Sequence, residues 1–234
     1  MTAAIRAALA ATIIADMAIA GAYAQAAPPV PDGPRYVVTY LEVMPTATAE
    51  GAALAREMRD AMRHAAGNLR AEAAQRIGRA NQFIMLAAWK DQPALDAHAK
   101  AAQTAQLADK LKRIENAPDD ARVTFPLSVG APVASLGGDA VIVVTHVDVI
   151  PPQRAMSRAL LRQHAEDGRQ EPGNLRFEAL TQTNRQNHFT VIEAWANRAA
   201  AQAHGMIAAT RAFRDKIAPA IGALYDERLY KALD

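Results

Sequence analysis

The stretch Tyr36-Val-Val-Thr-Tyr-Leu-Glu-Val-Met-Pro45 returns 106 positions later as Ile142-Val-Val-Thr-His-Val-Asp-Val-Ile-Pro151. The same shift lays Gly67-Asn-Leu-Arg-Ala-Glu-Ala73 on Gly173-Asn-Leu-Arg-Phe-Glu-Ala179. It also lays Trp89, His98 and Asp109-Lys110 on Trp195, His204 and Asp215-Lys216. No gap is needed. Between residues 36–127 and 142–233, 32 of 92 aligned positions are identical, more than shared alanine produces, so the chain is an internal duplication. A period this long exceeds that of a solenoid repeat, so each copy reads as a domain.

Working outward, 36–44 alternates and is β-branched, which makes a strand that Pro45 ends. Residues 49–64 carry Leu54, Met58 and Met62 at helical spacing, and Gly67-Asn68 stops that helix. Segments 69–77 and 82–89 read as a hairpin across a polar turn. Two short helices over 92–100 and 104–114 follow, then a strand over 122–127. The order β-α-β-β-α-β is the ferredoxin-like split arrangement, an α+β fold with helices on one sheet face. The other face needs cover, and the second copy supplies it. The expectation is two tandem ferredoxin-like domains, 35–128 and 140–234, forming an intramolecular pseudo-dimeric barrel. A small-residue linker over 129–139 joins them, and further self-association is left open.

Residues 1–24 read as a secretory signal peptide. Arg6 precedes an apolar stretch, and Ala22-Tyr23-Ala24 fits the cleavage pattern. Asp16 interrupts the stretch, so an uncleaved anchor stays open. Residues 25–34, rich in proline, form a stiff tether. The implied location is periplasmic or secreted, with no stable membrane partner. Among 234 residues, 51% are apolar but 56 are alanine, so the core is less bulky than the percentage implies. The absence of cysteine excludes disulfides, thiolate metal sites and cysteine nucleophiles. A net charge of +2 leaves no electrostatic footprint for nucleic acid.

The run Pro172-Gly-Asn-Leu-Arg-Phe-Glu-Ala-Leu180, then Asn187-His-Phe-Thr-Val-Ile-Glu-Ala-Trp195, then His204, resembles the antibiotic biosynthesis monooxygenase family. The first copy carries the pattern less fully, with Ala87 for Glu193 and Ala71 for Phe177. The resemblance implies a dimeric α+β barrel. It also implies a monooxygenase that oxidises a quinol or polyphenol with dioxygen and uses no cofactor. Such chemistry needs a base, donors for developing anionic oxygens, and a dry pocket.

His98 and His204 are the candidate bases, since imidazole titrates near neutrality; equally, each would tie its helix to the sheet by a buried hydrogen bond. Trp89 and Trp195 are candidate walls against an aromatic substrate or core anchors. The second copy is expected to hold the better site, with Trp195, His204 and Glu193 together. Tyr40 and His146, matched on the first strand, are further candidate substrate contacts or barrel-interior residues. Asn68, Arg70 and Glu72, like Asn174, Arg176 and Glu178, fall on one strand face by alternation. They would form either an inter-domain ion pair or a clamp on substrate oxygens. His188 reads as solvated beside the turn; His64 and His164 carry no assignment.

No glycine-rich nucleotide loop, H-E-x-x-H motif, close His/carboxylate trio or G-x-S-x-G elbow occurs in the sequence, so no metal site is expected. Haem-degrading relatives bind iron through a helix histidine, so the resemblance also allows His204, Trp195 and Asn174 to be cast around haem. The remaining rival is a non-catalytic module that binds a small aromatic ligand.

Overall fold

The computed structural model describes residues 32–133, 136–224 and 226–233. The leader and most of the tether lie outside the described residues. In the first copy β1 (Arg35–Val43), α1 (Thr48–His64), β2 (Asn68–Arg76), β3 (Gln82–Trp89), α2 (Gln92–Ala99), α3 (Ala102–Lys112) and β4 (Glu115–Ser128) follow in order. The second repeats it with β5 (Val141–Asp148), α4 (Arg154–Gly168), β6 (Asn174–Gln182), β7 (His188–Trp195), α5 (Arg198–Met206), α6 (Ala208–Ile217) and β8 (Asp226–Ala232). Among the described residues no helix is long and apolar enough to cross a membrane.

All strand pairings are antiparallel, and the strands close into one barrel in the order β1-β3-β2-β8-β5-β7-β6-β4. The last strand of each copy crosses to the other copy. β8 pairs with β2 around Gln75↔Lys231, and β4 pairs with β6 around Phe125↔Thr181. Neither sheet therefore keeps a free edge. The chain is an intramolecular pseudo-dimer of two ferredoxin-like units.

Alternation along the strands gives two kinds of core. Val38, Ile84, Leu86, Ile142, Val144 and Ile192 fill the barrel interior from both copies. Leu41, Val43, Phe83 and Met85 face the first copy's helices, and Val147, Phe189, Val191 and Trp195 face the second's. β4 begins seven residues earlier than the expected 122. Residues 115–121 are mostly exposed and lack apolar alternation, yet their backbone pairs with β1 from Val43↔Glu115 onward. Ladder bonds rather than burial make that segment a strand, and Pro118 sits at its register shift.

Gly67 and Gly173 end the α1 and α4 connections with φ of +81° and +80°. Each also passes close to the following helix: a β-carbon would stand 2.6 Å from Ala94 Cβ and 2.8 Å from Ala200 Cβ. Asn81 and Asn187 tie the hairpin turns to the first strands, donating to Val43 O and Val149 O.

Candidate active site

Trp89 closes β3 and is fully buried. Asp91 then caps α2, its carboxylate accepting the Ala94 N–H at 2.8 Å, which fixes the helix that carries His98. The second copy repeats the device with Asn197 and Ala200 N–H at 2.9 Å. The outcome is the same ring pair twice: Trp89–His98 centroids lie 4.7 Å apart and Trp195–His204 4.8 Å apart.

The surroundings of the two pairs differ. In the first copy a cavity of about 490 Å³ opens beside the pair, lined by Val37, Met58, Met62, Met85, Trp89, His98 and Leu107 among others. In the second copy bulk occupies that space. His164 stands in place of Met58 and stacks on Phe213, in place of Leu107, at 3.9 Å. Phe177, in place of Ala71, meets both Trp195 and His204 edge-on. A smaller cavity of about 250 Å³, bordered by Glu193, Arg198, Gln202, Arg214 and Glu227, remains beside His204. The larger cavity thus lies in the first copy and not in the second, where the better site is expected: Phe213 and Glu193 stand where Leu107 and Ala87 line the first copy's cavity.

Trp195, His204 and Glu193 do come together. The Trp195 indole N–H donates to Glu193 Oε2 at 2.8 Å, and His204 Nε2 lies 3.8 Å from the same oxygen. His204 Nδ1 contacts both Glu171 oxygens at 2.9 Å, and the Thr210 hydroxyl lies within 3.4 Å of the ring. Burial pushes the Glu193 carboxyl up to about 8, so it holds a proton at neutral pH. Burial also pushes the His164 imidazole down to about 3, helped by His204 and Arg214. His204 is 5% exposed and hemmed in by Trp195, Phe177 and His164, with groups at both nitrogens. A haem iron needs a free nitrogen and an open face, so haem does not fit at His204.

The first copy lacks these partners, with Ala65 and Ala87 standing where Glu171 and Glu193 do. Among the described residues neither the His98 ring nor the Trp89 indole N–H has a protein hydrogen-bond partner. Desolvation lowers the His98 pKa, which keeps that imidazole neutral.

The expected Asn-Arg-Glu face is broken. Asn68 lies opposite Trp89 but Arg70 lies opposite Ala88, and a register shift separates them; Asn174 and Arg176 repeat this against Trp195 and Ala194. The bulge turns the asparagines toward the tryptophan side and the arginines into the barrel. There Arg70 forms a two-bond pair with Glu178 (2.7 and 2.7 Å), and Arg176 forms one with Glu72 (2.7 and 2.8 Å). Arg176 therefore links the copies and does not reach the cavity. Tyr40 and His146 also face the barrel interior, away from both Trp–His pairs.

His188 is half-buried beside the turn, and its Nδ1 lies 2.7 Å from Asp148 Oδ1, which also lies 2.7 Å from His146 Nε2. The His/carboxylate trio absent from sequence spacing is thus assembled by strand pairing. His164 is a further residue without a sequence signal, since only its matched position, Met58, suggests that it packs inward.

An eight-stranded barrel closed by two ferredoxin-like units, each with a Trp–His pair under its helices, defines a single-chain pseudo-dimer of the monooxygenase-like α+β barrels. The sequence profile of the antibiotic biosynthesis monooxygenase family matches residues 34–110 and 140–216, and the chain belongs to that family. Solved structures share the fold. A candidate monooxygenase from Fusobacterium nucleatum superposes with a TM-score of 0.78 at 15% identity, covering 86% of this chain and 93% of its own. One from Lactobacillus acidophilus gives 0.70 at 14%, covering 86% and 95%. An anthrone oxidase-like protein gives 0.68 at 13%, covering 86% and 91%. No curated protein matches the chain.

Proposed function

We propose that this monooxygenase-like protein oxidises a quinol or polyphenol with dioxygen, without a cofactor, in the cavity of the first copy. The observation that carries this reading is the apolar cavity of about 490 Å³ beside Trp89 and His98. Its size and lining suit one small aromatic molecule. Trp89 offers a flat wall and an indole N–H free to donate to a substrate oxygen. His98, held neutral by burial, accepts a phenolic proton. The resulting phenolate is the electron donor to dioxygen. For a hydroquinone, one oxygen atom bonds to a ring carbon and the other leaves as water, giving a hydroxyquinone. The substrate supplies all four electrons, so no external reductant enters. Oxygen uptake over a panel of hydroquinones tests the reading: uptake is expected in the wild type and lost in His98→Ala.

A second reading, a binding module for a small aromatic compound, is favoured by one feature. The first copy lacks the carboxylates that orient His204, because Ala65 and Ala87 replace them. Ligand binding, followed by Trp89 fluorescence, with no uptake on any quinol would decide for it. We further propose export, resting on the leader pattern at 1–24; a mature N-terminus at Gln25 is the expected result of sequencing the isolated protein.

A further inference from the structure

We propose that His146, Asp148 and His188 bind a divalent first-row transition metal ion, with zinc as the reference ion, at one end of the barrel interior. This site is separate from the Trp89–His98 cavity and does not depend on the reading given for it. β5 carries His146 and Asp148 two residues apart and so on one face. The β5–β7 register sets Asp148 directly opposite His188. One nitrogen from each histidine and one Asp148 oxygen all lie within 4.8 Å of one another.

The trio is not a self-satisfied cluster. Asp148 Oδ1 approaches both rings at 2.7 Å, yet it is buried without a hydrogen-bond partner among the described residues. Two imidazole nitrogens thus converge on one carboxylate oxygen at ion-pair distance but without hydrogen-bond geometry, and a cation bonded to all three satisfies each. Tetrahedral coordination with bonds of about 2.0–2.1 Å separates ligand atoms by about 3.3 Å, a modest opening from the present contacts. Two nitrogens and one oxygen suit zinc, cobalt or nickel and not magnesium or calcium, which prefer all-oxygen shells.

The first copy is an internal control. Tyr40, Glu42 and Gln82 occupy the matched positions, and Gln82 Nε2 simply donates to Glu42 Oε2 at 2.8 Å. The second copy exchanges tyrosine and glutamine for imidazoles around the retained carboxylate. The nearby guanidiniums have carboxylate partners of their own or lie outside: Arg122 is paired with Asp120 and Arg228 with Asp226, each at 2.6 Å, and Arg185 is exposed on the hairpin turn, although Arg122 also acts on Asp148 and His146 through its charge. A cavity of about 410 Å³ over the trio leaves room for entry and for water in the remaining coordination positions.

The test uses the whole chain, stripped with a chelator and titrated with Co²⁺ by visible absorption and with Zn²⁺ by calorimetry. One ion per chain is expected, with a micromolar or tighter Kd and no competition from Mg²⁺. His188→Gln and His146→Tyr install the first copy's residues and are each expected to weaken binding by at least ~100-fold. Circular dichroism checks that they fold. Ring ¹⁵N shifts in the wild type give a variant-free readout: His146 and His188 are expected to move on adding Zn²⁺, while His98 and His204 stay. Absence of stoichiometric binding, unchanged affinity in a folded His188→Gln, or shifts confined to other histidines each overturns the proposal.

Discussion

The ring of Phe177 lies so close over Gly168 that a β-carbon on residue 168 would stand 2.3 Å from Phe177 Cδ2. The matched pair in the first copy is Ala71 and Met62, so large and small residues have changed places. Phe177→Ala is expected to destabilise the protein by about 3–5 kcal/mol, since a fully buried ring leaves a void. Gly168→Ala is expected to cost about 1–3 kcal/mol by overpacking. Urea unfolding of both variants measures these values, and an unchanged midpoint for either contradicts the packing described.

His98 and His204 share a stacking geometry but not an environment, which predicts a division of effects. His204→Ala strips partners from Glu171 and Thr210 and is expected to lower stability by about 1–3 kcal/mol while oxygen uptake persists. His98→Ala is expected to leave the unfolding midpoint nearly unchanged and abolish uptake. Parallel melts and oxygen-electrode traces compare the two; the reverse assignment would return the chemistry to the second copy.

Two buried groups in the second copy predict the shape of stability against pH. His164 has its pKa pushed down to about 3 from 6.5, so below pH 6.5 the unfolded chain takes up a proton that the native state refuses. Stability then falls with acid by up to about 1.4 kcal/mol per pH unit. Glu193 is pushed up to about 8 from 4.5, so above pH 4.5 the unfolded chain releases a proton that the native state keeps. Its contribution is complete below pH 4.5 and is lost as pH rises through 8. The opposing slopes cancel between 4.5 and 6.5, leaving a plateau there. His164→Leu is expected to remove the acid limb and Glu193→Gln the alkaline one, read from melting temperatures across pH.

The four charges crossing the barrel predict non-additive mutational effects. Glu178 and Arg176 side chains are 2% and 3% exposed, so removing one partner strands a buried charge. Glu178→Gln is expected to cost about 3–5 kcal/mol. The double variant Arg70→Met/Glu178→Leu keeps the Arg176–Glu72 pair and is expected to cost much less than the sum of its parts. A double-mutant cycle that shows additivity excludes the coupling.

The fold was legible because repetition and alternation are properties of the chain itself. Val37-Val-Thr39 and Val143-Val-Thr145 announce matched strands, and Gly67 and Gly173 announce matched helix stops. The site was legible only to the level of residue type. Trp89 and His98 could be paired by their spacing, but the cavity beside them is lined by Ala87 and Leu107, whose size matters only once the sheet and helices face each other. The bulge after Asn68 shows no distinctive residue, so simple alternation put Arg70 and Asn68 on the same side. Asp148 and His188 are forty residues apart and meet through register, which periodicity within one strand does not encode.

The fused arrangement of β4 on β6 and β8 on β2 has an evolutionary consequence. In a barrel made by two identical chains, every substitution appears twice, and a change that fills one pocket fills both. Joining the halves through residues 129–139 lifts that symmetry. One half is then free to fill the space under its helices with Phe177 and His164, leaving a hollow of about 250 Å³, while the other keeps one of about 490 Å³.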